Sequence, residues 1–136
     1  MGGVLLDRVD IRVPVKPVAL KNMTEERGEA SRQVRERVFR AMKMQKKRYR
    51  EQPFSWNSII IPGKINQFCY LNRECREALA GAVSNLSLPS RACHSIMKLA
   101  RTIADLKGSG IIRKEHVLEA CQHRWFGEED TFWSFG

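Results

Sequence analysis

The sequence is poor in the features that mark a metal site, a membrane span or a self-contained catalyst. Its four cysteines, Cys69, Cys75, Cys93 and Cys121, form no C-x-x-C pair, and the closest two are separated by five residues. Structural zinc needs paired ligands about two to four residues apart, so that one short turn can present both to a tetrahedral ion. His94, His116 and His123 do not repair that spacing, and reduced core thiols are the expected state. No run of about 18 apolar residues exists, and Asp7, Arg8, Asp10 and Arg12 interrupt any apolar core of a secretion signal. These two absences point to a protein of the cytoplasm with no membrane partner. The one Gly-Lys pair, Gly63-Lys64, lacks the upstream glycine of a phosphate cradle and is followed by isoleucine. No G-x-S-x-G elbow and no cysteine–histidine relay is visible, so the segment by itself is expected to catalyse nothing.

Basic charge and helical periodicity are abundant instead. Lys and Arg total 24 against 15 Asp and Glu, a net charge of +9 over 136 residues, and 43% of the residues are hydrophobic. That length and apolar content fit one modest domain with a real core. Residues 4–18 read as extended, with Val9, Ile11 and Val13 alternating against polar neighbours before Pro14 and Pro17 prevent central pairing. No convincing second strand follows, which suggests a piece of a larger architecture.

From about Ser31 to Arg50 a long helix is indicated, with Ser31 as N-cap and Val34, Val38, Ala41, Met42, Gln45 and Tyr49 on one face. Arg32, Arg40, Lys43, Lys47 and Arg50 occupy the opposite face. Between residues 31 and 51, nine basic residues stand against Glu36 and Glu51, a net +7. Shorter helices follow. Pro62 can start one carrying Ile65, Phe68 and Cys69. Asn72 caps the next, with Cys75, Ala78, Leu79, Ala82, Val83 and Leu86 inside. A third begins near Pro89, presents Ala92, Ile96, Leu99, Ala100, Ile103 and Leu106, and ends at Gly108. The last, from about Lys114 to His123, buries Val117, Leu118 and Cys121. The expected fold is mainly α, a small helical bundle preceded by the long helix and an extended segment. Residues 125–136, WFGEEDTFWSFG, hold five of the eleven aromatics around Glu128, Glu129 and Asp130. They read either as a tail folded back on its own bundle or as a docking patch.

Two arginines stand out. Arg8 lies between Asp7 and Asp10 where the extended segment begins, and Arg91 lies in the first turn of a helix. A guanidinium beside the unpaired N–H groups of a helix start suits phosphate oxygens. From position alone the first reading of either arginine is a surface ion-pair partner.

LLDRVDIRV, GEASRQVRERV and above all LPSRACHSIMKLARTIADLKGSGIIRKEHVLEACQHR resemble the C-terminal part of magnesium-chelatase-like AAA+ ATPases, in particular the ComM (YifB) competence-protein group. The resemblance covers nearly all of the chain before Trp125. It implies a helical lid over residues 30–124, preceded at 1–29 by the end of an AAA+ core and followed at 125–136 by a tail it does not explain. It further implies that Arg8 is an arginine finger reaching the γ-phosphate of ATP on a neighbouring subunit, and that Arg91 is the sensor-2 arginine of the lid. The implied cofactor is ATP with Mg²⁺ in the longer protein, in a hexameric ring that acts on DNA. An upstream core with the P-loop and Walker B motifs is the implied partner. Pro89, Cys93, Ser95 and Lys114 depart from the family pattern, which touches the surroundings of Arg91 without removing it. An alternative function is a nucleic-acid-binding module using Arg32, Arg40, Lys43, Lys47 and Arg50, or a protein-interaction adaptor using the aromatic tail.

Overall fold

The computed structural model describes residues 9–15, 17 and 28–124. The expectations placed on Arg8 and on residues 125–136 lie outside the described residues. Among the described residues there are five α-helices and no strand. They are α1 (Ser31–Arg48), α2 (Ile65–Phe68), α3 (Arg73–Asn85), α4 (Ser90–Leu106) and α5 (Lys114–Gln122), with 3-10 turns at Asn57–Ile59 and Pro62–Lys64 before α2.

Helix α1 contains neither glycine nor proline, and its last turn carries Lys46, Lys47 and Arg48, cations that complement the partial negative charge of a helix C-terminus. Its cap differs from expectation. Ala30 is the N-cap and Ser31 is already helical, with no side-chain cap bond. The start is held instead by the backbone bond Gln33 N–H to Ala30 O (2.9 Å) and by the Arg37–Glu29 ion pair. Only the second half of the predicted inner stripe is buried: Ala41, Gln45 and Tyr49. Val34, Val38 and Met42, expected inside, are exposed, because α1 runs out past the elements that cover its C-terminal turns.

The remaining helices pack by their predicted stripes, with α5 seated against both α3 and α4 and α1 laid across α4. Asn72 caps α3, accepting from Cys75 N–H at 2.9 Å. Two helix ends close around a left-handed residue with the same outer hydrogen bond, from the residue after it to a carbonyl five positions back. After α4, Gly108 sits at φ +71°, with Gly108 N–H to Asp105 O (3.0 Å) and Ser109 N–H to Ala104 O (2.8 Å). After α3, Ser87 takes the left-handed region at φ +48° and Leu88 N–H reaches Val83 O (3.1 Å). Both are Schellman ends, in which one left-handed residue turns the chain back to satisfy terminal carbonyls.

The core joins Cys75, Leu79, Ala92, Ile96, Ala100, Ile103, Val117 and Ala120 to an aromatic corner of Tyr49, Phe54 and Phe68. Those three rings meet edge to face, with centroids 5.0–5.9 Å apart. Leu106 and Leu118, predicted inside, face solvent, and His116 and Ala120 take the interior positions of α5. Residues 9–15 form no strand. They run as a lead-in tied to the end of α5 by Arg12 N–H to His123 O at 2.7 Å.

Candidate functional site

Pro89, in extended conformation, is the N-cap of α4, and Arg91 is the second helical residue. The first turn of α4 contains no acidic residue. The positive end of the helix is therefore not neutralised by a carboxylate of its own turn. Arg91 is exposed there and forms no salt bridge with any described residue. The ion-pair reading of Arg91 thus finds no partner among the described residues. What stands at this end of the bundle is a solvated guanidinium on a helix start, an arrangement that can bind an anionic oxygen.

The other end of α4 carries a polar cluster that sequence reasoning missed. Asp105 is 1% exposed. It accepts from Arg48 Nη1 at 3.0 Å and Nη2 at 2.5 Å, from Asn57 Nδ2 at 2.9 Å, and from Arg101 Nε at 3.2 Å. Arg101 also donates to the carbonyls of Ser109 (2.6 Å) and Gly110 (3.2 Å), so it pins the loop that follows α4. Asn57 is held from every side: its N–H donates to Gln45 Oε1, its Oδ1 accepts from the Tyr49 hydroxyl at 2.6 Å, and its Nδ2 also donates to Thr102 Oγ1. Burial is the largest single influence on Arg48 and opposes its charge, but the hydrogen bond to Asp105, the attraction of that carboxylate and the neighbouring Tyr49 together outweigh it and the pKa is raised. For Arg101 burial dominates and the pKa is lowered, despite the attraction of Asp105. Burial also pushes the Tyr49 phenol up to about 12, so it remains a donor. Two arginines on one carboxylate leave a net positive, largely enclosed cluster whose donors are committed to protein acceptors. Its chemistry is positional: it locks α1, the Asn57 turn and the loop 109–110 to α4. The available signal was the Arg101/Asp105 pair, four residues apart inside an otherwise apolar stripe.

Two further polar groups are interior. His116 Nδ1 accepts from Arg113 N–H at 2.9 Å, which ties the first turn of α5, and burial lowers its pKa so that the neutral ring is favoured. Arg124, 3% exposed, donates to Val9 O at 3.3 Å and lies 3.5 Å from Asp10 Oδ1. The residues that directly follow Arg8 are thereby fixed against the end of α5.

The helix ends at Arg48, so of the basic candidates Arg32, Arg40, Lys43 and Lys47 lie on α1 and Arg50 in the turn that follows it; all five are exposed. Arg32 pairs with Glu36 at 3.2 Å, and the Lys43 ammonium sits 4.8 Å from the centre of the Phe39 ring. Arg40 and Lys43 line a cleft of about 390 Å³ with Lys107 from the end of α4. Lys47 and Arg50 line another of about 560 Å³ with Gln67 and Phe68. The four cysteines are free thiols, three of them buried, and burial raises Cys69 to about 11. Among the described residues no group of three His, Cys, Asp or Glu is placed to hold a metal ion, and no helix is long and apolar enough to cross a membrane.

Two curated proteins are similar over 126 residues, 91% of this chain. One is the competence protein ComM of Haemophilus influenzae (37% identical), and the other is the uncharacterized protein YifB of Escherichia coli K12 (36%). YifB of Salmonella typhimurium is 31% identical over the same span. The chain covers 24% of the length of each, so it corresponds to about a quarter of these relatives. Residues 28–124, which hold α1 to α5 and both the Arg91 and the Asp105 ends of α4, match the family model for the C-terminal region of the magnesium chelatase subunit ChlI, and the chain belongs to that family.

Proposed function

We propose that this segment is the helical lid of a magnesium-chelatase-like AAA+ ATPase of the ComM type, and that Arg91 serves as its sensor-2 residue. The observation that carries the reading is the exposed Arg91 on a helix start with no carboxylate in its own turn. ATP, with Mg²⁺, supplies the phosphoryl group whose oxygens gain negative charge as the bond to the leaving group breaks. The Arg91 guanidinium would contact those oxygens from the lid side. Arg8, from the segment leading into residues 9–15, would contact the γ-phosphate on a neighbouring subunit, where a fixed cation stabilises developing charge. The cluster around Asp105 keeps the lid rigid, so loss of the phosphate contact would turn the bundle as a body. The parent is read as a cytoplasmic hexameric ring with DNA as its substrate. The segment itself supplies one wall of a nucleotide site and should bind ATP weakly alone.

The test uses the longer protein that carries the nucleotide-binding core. Arg8→Ala should reduce ATP hydrolysis by about 10³- to 10⁵-fold, the usual worth of an arginine finger, and leave nucleotide binding intact. Mixing it with an active subunit should show the defect in the neighbour's site. Arg91→Ala should impair hydrolysis with the melting temperature unchanged. Normal hydrolysis in either variant would refute that residue's role.

A second reading rests on the exposure of Arg32, Arg40, Lys43 and Lys47 along α1 and of Arg50 just after it, which could neutralise DNA phosphates directly. Binding through this face should weaken steeply between about 50 and 200 mM salt as condensed counterions compete. Binding indifferent to salt would exclude it.

A further inference from the structure

The first three turns of α1 present an apolar stripe that no described element covers. Val34, Val38 and Met42 recur every four residues and so share one line on the helix. They are 39%, 43% and 36% exposed, and Phe39, beside Met42 on the helix surface, is 56% exposed. The same line continues into Ala41, Gln45 and Tyr49, which are buried by the bundle. One amphipathic face is therefore partnered over its C-terminal half and bare over its N-terminal half. It is flanked by basic side chains, in a stretch whose net charge is +7 between residues 31 and 51.

That charge selects the occupant. A second copy of α1 would set +7 against +7. The complement is an apolar segment of negative charge, and this chain contains one. Residues 125–136 carry Trp125, Phe126, Phe132, Trp133 and Phe135 together with Glu128, Glu129 and Asp130, and no lysine or arginine. We propose that residues 125–136 dock on the Val34–Met42 stripe of α1 within the same molecule, aromatics on the apolar line and the acidic triplet against the flanking arginines and lysines.

The reach permits it. Lys107 at the end of α4 lines a cleft with Arg40 and Lys43, on the basic side of α1 rather than on the stripe itself, so the end of α4 lies beside the flanking cations. Lys107 also pairs with Glu119 of α5 at 3.2 Å, one helical turn before His123. Twelve residues extended span about 40 Å, while the stripe from Val34 to Met42 is only about 12 Å long. Closing so short a connection also costs little chain entropy.

The test uses the full 136-residue chain with Trp56→Phe, so that Trp125 and Trp133 alone report. Their emission should be blue-shifted and protected from quencher relative to a peptide of residues 125–136. Adding Val38→Glu, an exposed position where the fold should hold, should shift it red and remove the protection. Leu118→Glu, at an exposed position of α5, should leave it unchanged. In the chain with all three tryptophans, deleting residues 125–136 should increase binding of an apolar dye, and Val38→Glu should abolish that increase. Solvent-like emission in the Trp56→Phe chain, or protection that survives Val38→Glu, would overturn the proposal. So would a dimer in sedimentation that dissociates on deleting residues 125–136, because the segment would then lie on a neighbouring copy.

Discussion

The interior carboxylate of α4 offers the sharpest test of what holds this bundle together. Among the described residues Asp105 is the one acid paired with two guanidiniums: the Arg101 side chain is 5% exposed and that of Arg48 17%. Asp105→Ala removes the acceptor of four hydrogen bonds and leaves both cations with carbonyl and amide partners alone. Deleting one partner of a buried ion pair costs roughly 3–5 kcal/mol, because the remaining charge is stranded. Arg48 can turn partly toward water, which places the expected loss at the lower end, about 3 kcal/mol. For a domain of this size each kcal/mol corresponds to at least about 4 °C, so the midpoint should fall by about 12 °C or more. The measurement is urea unfolding followed by circular dichroism, alongside a thermal scan. Arg48→Met should cost less than Asp105→Ala, because it leaves the Arg101–Asp105 pair and adds an apolar side chain. In the double variant the two losses should fall well short of additive, a coupling of about 0.5–3 kcal/mol. A loss below about 1 kcal/mol for Asp105→Ala, the range of an exposed pair, would show that the cluster is solvated and that its locking role is wrong.

Other perturbations separate local causes. Burial lowers the His116 pKa, so the folded state binds a proton less readily than the unfolded chain. Its stabilising effect is therefore complete above about pH 6.5, the unfolded value, and is lost as pH falls below that. Denaturation midpoints of the parent and of His116→Asn should converge toward acid pH; parallel curves would contradict the assignment. Asn72→Ala should cost about 1 kcal/mol through loss of the α3 cap, and an unchanged midpoint would mean that the cap bond is unformed in solution. Gly108→Ala meets no atom within 4 Å, so its cost should be conformational alone, about 1–2 kcal/mol for a side chain at positive φ. A larger loss would imply a neighbour that packs there. Arg124→Ala should accelerate amide exchange at Arg12 with little effect on α3 and α4, and global acceleration would show that the lead-in is part of the core.

Much of the architecture was legible because local signals and tertiary packing agree. Asn72, Pro62 and Gly108 mark helix ends by steric and hydrogen-bonding rules that act within a few residues, and each marks one here. The inner faces of α3 and α4 follow from a 3.6-residue period, because helices on both sides cover them. Periodicity fails where coverage is incomplete. The stripe of α1 is continuous from Val34 to Tyr49, yet burial stops near Ala41, and no local property of Val34 or Val38 reports the length of the neighbouring helices. The same limit misplaced Leu106 and Leu118. Ser31 looked like a cap by residue type, but the helix begins one residue earlier in register, with Ala30 in the flanking position.

The site was legible in one part. Arg91 could be singled out by its place in the first turn of α4, and the structure adds the exposure and the acid-free turn. Of the Asp105 cluster only the Arg101/Asp105 spacing was legible. Arg48 stands in the sequence only as one of nine basic residues between 31 and 51, and its partner lies 57 residues away. Long-range charge pairing has no sequence period, so only the fold reveals that Arg48 serves the interior while Arg40, Lys43 and Lys47 do not.

The tether between Arg12 and His123 has a kinetic corollary. Its two ends are separated by 123 − 12 = 111 positions, far more than any pair linking consecutive helices. Contacts of such sequence separation repay their loop-closure entropy only after the intervening helices have assembled. Engagement of the lead-in should thus be the last event as the polypeptide folds and the first to yield under mechanical load, with the bundle still whole behind it.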